Sequence, residues 1–200
     1  MYFDMLTILL FGLIWIGAVA FLRFKKKKDL VYLIFFTLFY VYLFKVLDYT
    51  LFQFQSLLLL KHFNPDLILQ GQEAGKEFNL VPLIMLTPGD LKISLLNILL
   101  LVPFGFGLPF ITHLRLKQVV VVGALFSIVI ELLQLATGLM AHITFRVADI
   151  NDVIFNTAGA VIGYGLFVGF VRLYRRISRN WQTPVNSVLQ YIAERPQVDK

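Results

Sequence analysis

Five apolar runs dominate the chain: Met5–Leu22, Leu30–Leu47, Ser94–Ile111, Gln118–Thr137 and, roughly, Asp152–Val171. Each is close to the ~20 residues that carry a helix across ~30 Å of hydrocarbon at ~1.5 Å per residue. An apolar continuation, Leu51–Leu60, follows Asp48 beyond the second run. A chain so built has few folds open to it. In lipid every backbone polar group must be paired within the protein, so the runs are predicted to be helices packed as one bundle.

Composition agrees. The 200 residues are 58% hydrophobic and 15% charged, too little polar surface for a water-soluble domain. The net charge of +6 is no sign of nucleic acid here, because the basic residues sit at the ends of the apolar runs. With no cysteine, disulfides, thiolate chemistry and Cys-ligated metals are excluded. The first run follows Asp4 and ends in Arg23 and Lys25–Lys28 without a small-residue cleavage site, so it is expected to remain as an anchor.

Basic residues set the topology. Arg23 and Lys25–Lys28 follow the first run, Arg115 and Lys117 the third, and Arg172, Arg175, Arg176 and Arg179 the fifth. In a five-span chain those places share one side. The positive-inside rule then puts the N-terminus outside and the C-terminus in the cytoplasm. The expected fold is an all-α, five-helix transmembrane bundle over residues 1–179, with a cytoplasmic amphipathic tail over 180–200. In that tail Thr183-Pro184 opens a short helix whose stripe is Val185, Val188, Leu189 and Ile192, expected to lie on the inner membrane surface. The 61–93 connection is extracytoplasmic. Its half from Phe78 to Asp90 is too apolar for a solvated loop and too short to span, which predicts a re-entrant or interfacial hairpin turning at Pro88-Gly89.

Polar residues interrupt the runs in a pattern. Asp149, Asp152, Asn156, Gly159 and Gly163 recur at steps of three and four, so they share one helix face. Gly159 and Gly163 allow a neighbouring helix to come close, whether from this chain or from a second protomer. Helix capping by Asp149 or Asn151 accounts for the first acids, but not for Asn156 inside the apolar run. Glu131 and Gln134 share a face of the fourth run, where Glu131 either pairs with Arg146 or serves a function. Lys45 and Asp48 are placed to pair at the interface or to snorkel. The third run holds Asn97 near its outer end, and two prolines and two glycines, Pro103 to Pro109, that break or bend it.

With the topology above, Asn79, Asn97, Glu131, Gln134, Arg146, Asp149, Asp152 and Asn156 all fall in the outer leaflet or at its surface. They are expected to form one ligand-binding pocket. Arg146 offers a fork for phosphate or carboxylate. Glu131, Asp149 and Asp152 are the candidates for proton transfer, a divalent-cation site or hydrogen-bond acceptance.

These residues resemble the VanZ-like family. The resemblance rests on Asn79-Leu-Val-Pro82, on Asn97 with Pro103-Phe104-Gly105, and on Glu131-Leu-Leu-Gln134. Its longest motif is Arg146-x-x-Asp149-x-x-Asp152-x-x-x-Asn156-x-x-Gly159-x-x-x-Gly163. It covers about residues 78–165. The resemblance implies a small multi-pass protein of the bacterial cytoplasmic membrane, typically Gram-positive, whose namesake lowers susceptibility to the glycopeptide antibiotic teicoplanin. It implies a phenotype and an address, not a reaction.

Three function classes follow. In the first, the protein engages a membrane lipid, a lipid-linked cell-wall precursor or a lipophilic glycopeptide at the outer leaflet. The second is a membrane-embedded hydrolase or transferase acting on a lipid headgroup or prenyl-linked phosphate through Glu131, Asp149 and Asp152. No nucleophile motif or Gly-rich phosphate loop supports it, and His142 is a lone loop histidine. A transporter is weakest, since no polar residue continues the path through the inner leaflet and no inverted repeat is visible.

Overall fold

The computed structural model describes residues 5–51, 78–83, 88–141, 148–178 and 187–194. The helices, in order, are α1 (Met5–Ala20), α2 (Leu30–Leu51), α3 (Pro88–Ile111), α4 (Leu116–Ala141), α5 (Ile150–Ser178) and the short α6 (Ser187–Ala193). A π-helical turn, Phe21–Lys25, continues α1. Two-residue strands β1 (Phe78–Asn79) and β2 (Ala148–Asp149) pair in parallel, Asn79 opposite Asp149. Five helices are long and apolar enough to cross a membrane, each overlapping one of the apolar runs. The protein is an all-α, multi-pass membrane protein.

The broadest interface in the bundle is between α3 and α5. It is close because three glycines lie in it. A Cβ on Gly159 would fall 2.1 Å from the Ile98 carbonyl oxygen, one on Gly163 2.0 Å from that of Val102, and one on Gly105 1.9 Å from that of Ala160. Backbone against backbone is how apolar helices gain van der Waals contact where no hydrophobic force drives them together. The Gly159/Gly163 face is thus taken up within the chain.

Around this seam Phe39, Leu101, Phe104, Leu108, Val119, Ala160 and Tyr164 form the central core. Residues such as Leu13, Leu99 and Leu173 point outward, as a lipid-facing surface requires. Although α3 contains Pro103 and Pro109, it stays helical through both. Close by, the Tyr42 hydroxyl donates to the Leu100 carbonyl at 2.6 Å. Helix α1 is held to α2 by two side chains: Trp15 Nε1 donates to Thr37 Oγ1 at 3.2 Å, and Tyr40 Oη to the Phe11 carbonyl at 2.8 Å. Lys45 and Asp48 do pair, at 2.9 Å.

Two expectations are corrected. Pro88 does not turn a hairpin with Gly89. It opens α3, six residues before the predicted start at Ser94, because the first helical turn has no need of the N–H that proline lacks. The part of the tail stripe that is described packs on the protein itself, while Thr183, Pro184 and Val185 lie outside the described residues. Val188 and Ile192 pack with Phe110, Phe167 and Val171, and the Tyr191 ring stacks on Phe35. The Tyr191 hydroxyl donates to the carbonyl of Phe110 at 2.6 Å, in the last turn of α3, where helix carbonyls otherwise lack partners. Tyr191→Phe is therefore expected to lower stability by about 1 kcal/mol. Thermal unfolding of the purified protein should register ~2–4 °C.

Candidate functional site

The site lies at the end of the bundle where α2 and α4 finish and α3 and α5 begin. Asp149, the residue before α5, caps it: its Oδ1 accepts from the Asn151 N–H at 2.8 Å, the bond that satisfies an early orphan donor of a helix. The same oxygen accepts from the Asn79 side-chain amide at 3.1 Å. The Asp149 N–H donates to Glu131 Oε2 on α4 at 3.2 Å. Capping and assembly are thus one arrangement: the residue that starts α5 also joins it to β1 and α4. Asn79 in turn accepts from the Val81 N–H, and Asn151 from that of Leu83, whose φ of 59° lies in the left-handed region.

One turn further in, Asn97 of α3 donates its amide N–H to Asp152 Oδ1. Another turn inward, the Asn156 side-chain amide donates to Ser127 Oγ on α4 at 2.8 Å. Asn156 is 2% exposed and Ser127 wholly buried. The amide oxygen of Asn156 has no hydrogen-bond partner among the described residues. Below this level the column is closed by Leu101, Val119 and Ala160, all fully buried.

The polar residues therefore form three descending layers: Asn79, Glu131 and Asp149, then Asn97 and Asp152, then Ser127 and Asn156. Glu131 and Asn97 are 7% exposed, deep for an acid and an amide. Gln134, one turn beyond Glu131 on α4, reaches a further helix. Its amide donates to the Thr50 carbonyl of α2 at 3.1 Å, tying α4 to the buried end of α2, where Asp48 and Thr50 also lie. Arg146 and His142 lie outside the described residues.

The divalent-cation expectation meets a different geometry. Among the described residues no three of His, Cys, Asp and Glu gather closely enough to hold a metal ion. Each of the three carboxylates accepts from an N–H donor: Asp149 from the Asn79 amide, Glu131 from the Asp149 N–H and Asp152 from the Asn97 amide. Ser127 and Thr50 are the residues that sequence reasoning missed. For Ser127 a signal existed: with Glu131 and Gln134 it completes an i, i+4, i+7 stripe on α4. Thr50 contributes its backbone carbonyl, which any residue has, so nothing in the sequence marked it.

Apolar helices around a largely buried column of acids and amides define a multi-pass membrane protein with a polar site built into the bundle. The VanZ/LLP1 family model matches residues 3–173, and the chain belongs to that family. The match takes in α1 and α2 as well as the motif-bearing half. No curated protein and no solved structure matches the chain.

Proposed function

We propose that the chain binds a lipid-linked envelope component in this column, at the outer leaflet of the bacterial cytoplasmic membrane, and thereby lowers susceptibility to teicoplanin-type glycopeptides. The observation that carries the reading is the meeting of half-buried Asn79, Asp149 and Asp152 with buried Asn97, Glu131 and Asn156, from β1, α3, α4 and the start of α5, in one column. Ionisable groups at this depth are costly, and their retention points to function. The outer location is supported by charge. Arg23, Lys25–Lys28, Arg115, Lys117, Arg172, Arg175 and Arg176 all belong to the opposite helix ends, the cytoplasmic side by the positive-inside rule. Arg146, three residues before Asp149 in sequence, supplies the phosphate fork in this reading.

The test compares susceptibility and total membrane lipid in cells with the wild-type chain, with Asp152→Asn and without the chain. Binding predicts that the wild type lowers susceptibility, that Asp152→Asn does not, and that the lipid profile is the same in all three. A lipid species that vanishes or appears only with the wild type would replace binding by hydrolase or transferase chemistry at the same carboxylates.

A further inference from the structure

The basic residues that close α1 crowd one fixed turn. The π-helical turn Phe21–Lys25 is held by backbone bonds, the Lys26 N–H to the Phe21 carbonyl at 3.1 Å and the Lys28 N–H to that of Leu22 at 3.0 Å. Arg23 Nη1 donates to the Lys28 carbonyl at 3.1 Å, which folds the guanidinium back onto the same turn. Lys27, just past the cap, has a φ of 51°. That left-handed position usually falls to glycine. A lysine there carries a steric cost and adds a charge.

The ammonium groups rest on rings, not on acids. Lys25 and Lys26 Nζ each lie 5.9 Å from the centre of the Phe21 ring, and Lys28 Nζ lies 4.6 Å from that of Tyr32. Among the described residues the one ion pair is Lys45 with Asp48, toward the far end of α2. Asp29, the acid next in sequence, accepts from the Tyr32 N–H at 2.9 Å and so caps the start of α2. Arg23 and Lys25–Lys28 thus make a concentrated positive field that favours an anion. The same turn marks its own depth. Phe21 and Phe24 are 47% and 81% exposed and belong to the apolar span Thr7–Lys25. They face acyl chains, while the long side chains beside them reach the headgroups. An anion dissolved in water has nothing to set against the two rings. An anionic lipid meets both the rings and the charges.

We infer that Arg23 and Lys25–Lys28, with Phe21 and Phe24, form an interaction surface for an anionic phospholipid of the leaflet at this end of the bundle. It lies at the opposite end from the polar column and does not depend on the function proposed for that column.

Native mass spectrometry of the full-length protein, released from vesicles of equal parts phosphatidylglycerol, phosphatidylethanolamine and phosphatidylcholine, tests this. All three lipids carry a phosphodiester, but only phosphatidylglycerol has a net negative charge. Each juxtamembrane cation is worth about fivefold at an anionic surface. Retention of phosphatidylglycerol by the wild type is therefore expected to exceed that of phosphatidylcholine about tenfold or more. Lys25→Gln with Lys26→Gln should lower that ratio about fivefold, with helical circular dichroism unchanged, and Lys25→Arg with Lys26→Arg should keep it. Arg115→Gln with Lys117→Gln removes the same charge from the same end of the bundle and should leave the ratio near wild type. A wild-type ratio near one overturns the inference. Equal falls in the two glutamine variants overturn it as well, because net charge alone would then select the lipid.

Discussion

Alanine in place of Gly159 is expected to lower the thermal midpoint of the purified protein sharply, whereas alanine in place of Gly165 should leave it unchanged or raise it. Both glycines lie in α5, six residues apart. The added methyl at Gly159 would sit 2.1 Å from the Ile98 carbonyl oxygen, an atom of helix backbone that cannot swing aside, so α3 and α5 must separate. Overpacking of a core typically costs ~1–3 kcal/mol, and a backbone neighbour that cannot repack places this substitution at or above the top of that range. At Gly165 nothing lies within 4 Å, and alanine gains up to ~1 kcal/mol in helix propensity. Gly163→Ala should resemble Gly159→Ala, with 2.0 Å to the Val102 carbonyl oxygen. Equal midpoints for the Gly159 and Gly165 variants would contradict the close α3–α5 seam.

Asp152→Asn should do the reverse: leave the fold and remove the activity. Asparagine has the shape of aspartate and a carbonyl oxygen that can still accept from Asn97, so the link between α3 and α5 survives. What is lost is the negative charge. If that charge is what a bound headgroup meets, binding should weaken at least tenfold, as expected for one charge-assisted hydrogen bond. The effect on glycopeptide susceptibility should vanish with it, while thermal midpoint and membrane insertion stay near wild type. Asn97→Leu is the complementary change: it leaves the Asp152 carboxylate without its amide donor and should impair both stability and activity. A protein in which Asp152 served only to hold helices together would show Asp152→Asn nearly silent in both assays.

The spans were legible because an apolar run of membrane-crossing length has one folded outcome in lipid. The α5 stripe was legible because steps of three and four are a property of the helix itself. Partners were harder. That Gly159 lies against Ile98, and Asn156 against Ser127, depends on the register of one helix upon another, which no local pattern encodes. A serine in an apolar helix can return its hydroxyl to its own backbone, so the stripe it makes with Glu131 and Gln134 does not by itself name Asn156 as its partner. The tail stripe fits a membrane surface and a bundle end equally well, and only the position of Phe35 and Phe110 decides between them. Pro88-Gly89 reads as a turn or as a helix start. The structure takes the start.

The central claim is that sequence-distant polar residues converge at one end of the bundle and that this end faces outward. Crosslinking in intact cells with a short, charged, membrane-impermeant bis-methanethiosulfonate reagent tests both parts at once, on a chain with no cysteine of its own, carrying the pair Asn79→Cys and Asp149→Cys. The two positions are cross-strand neighbours, so the pair is expected to be bridged as readily in intact cells as in broken ones. No bridge under either condition, or a bridge only after the membrane is broken, would contradict the account.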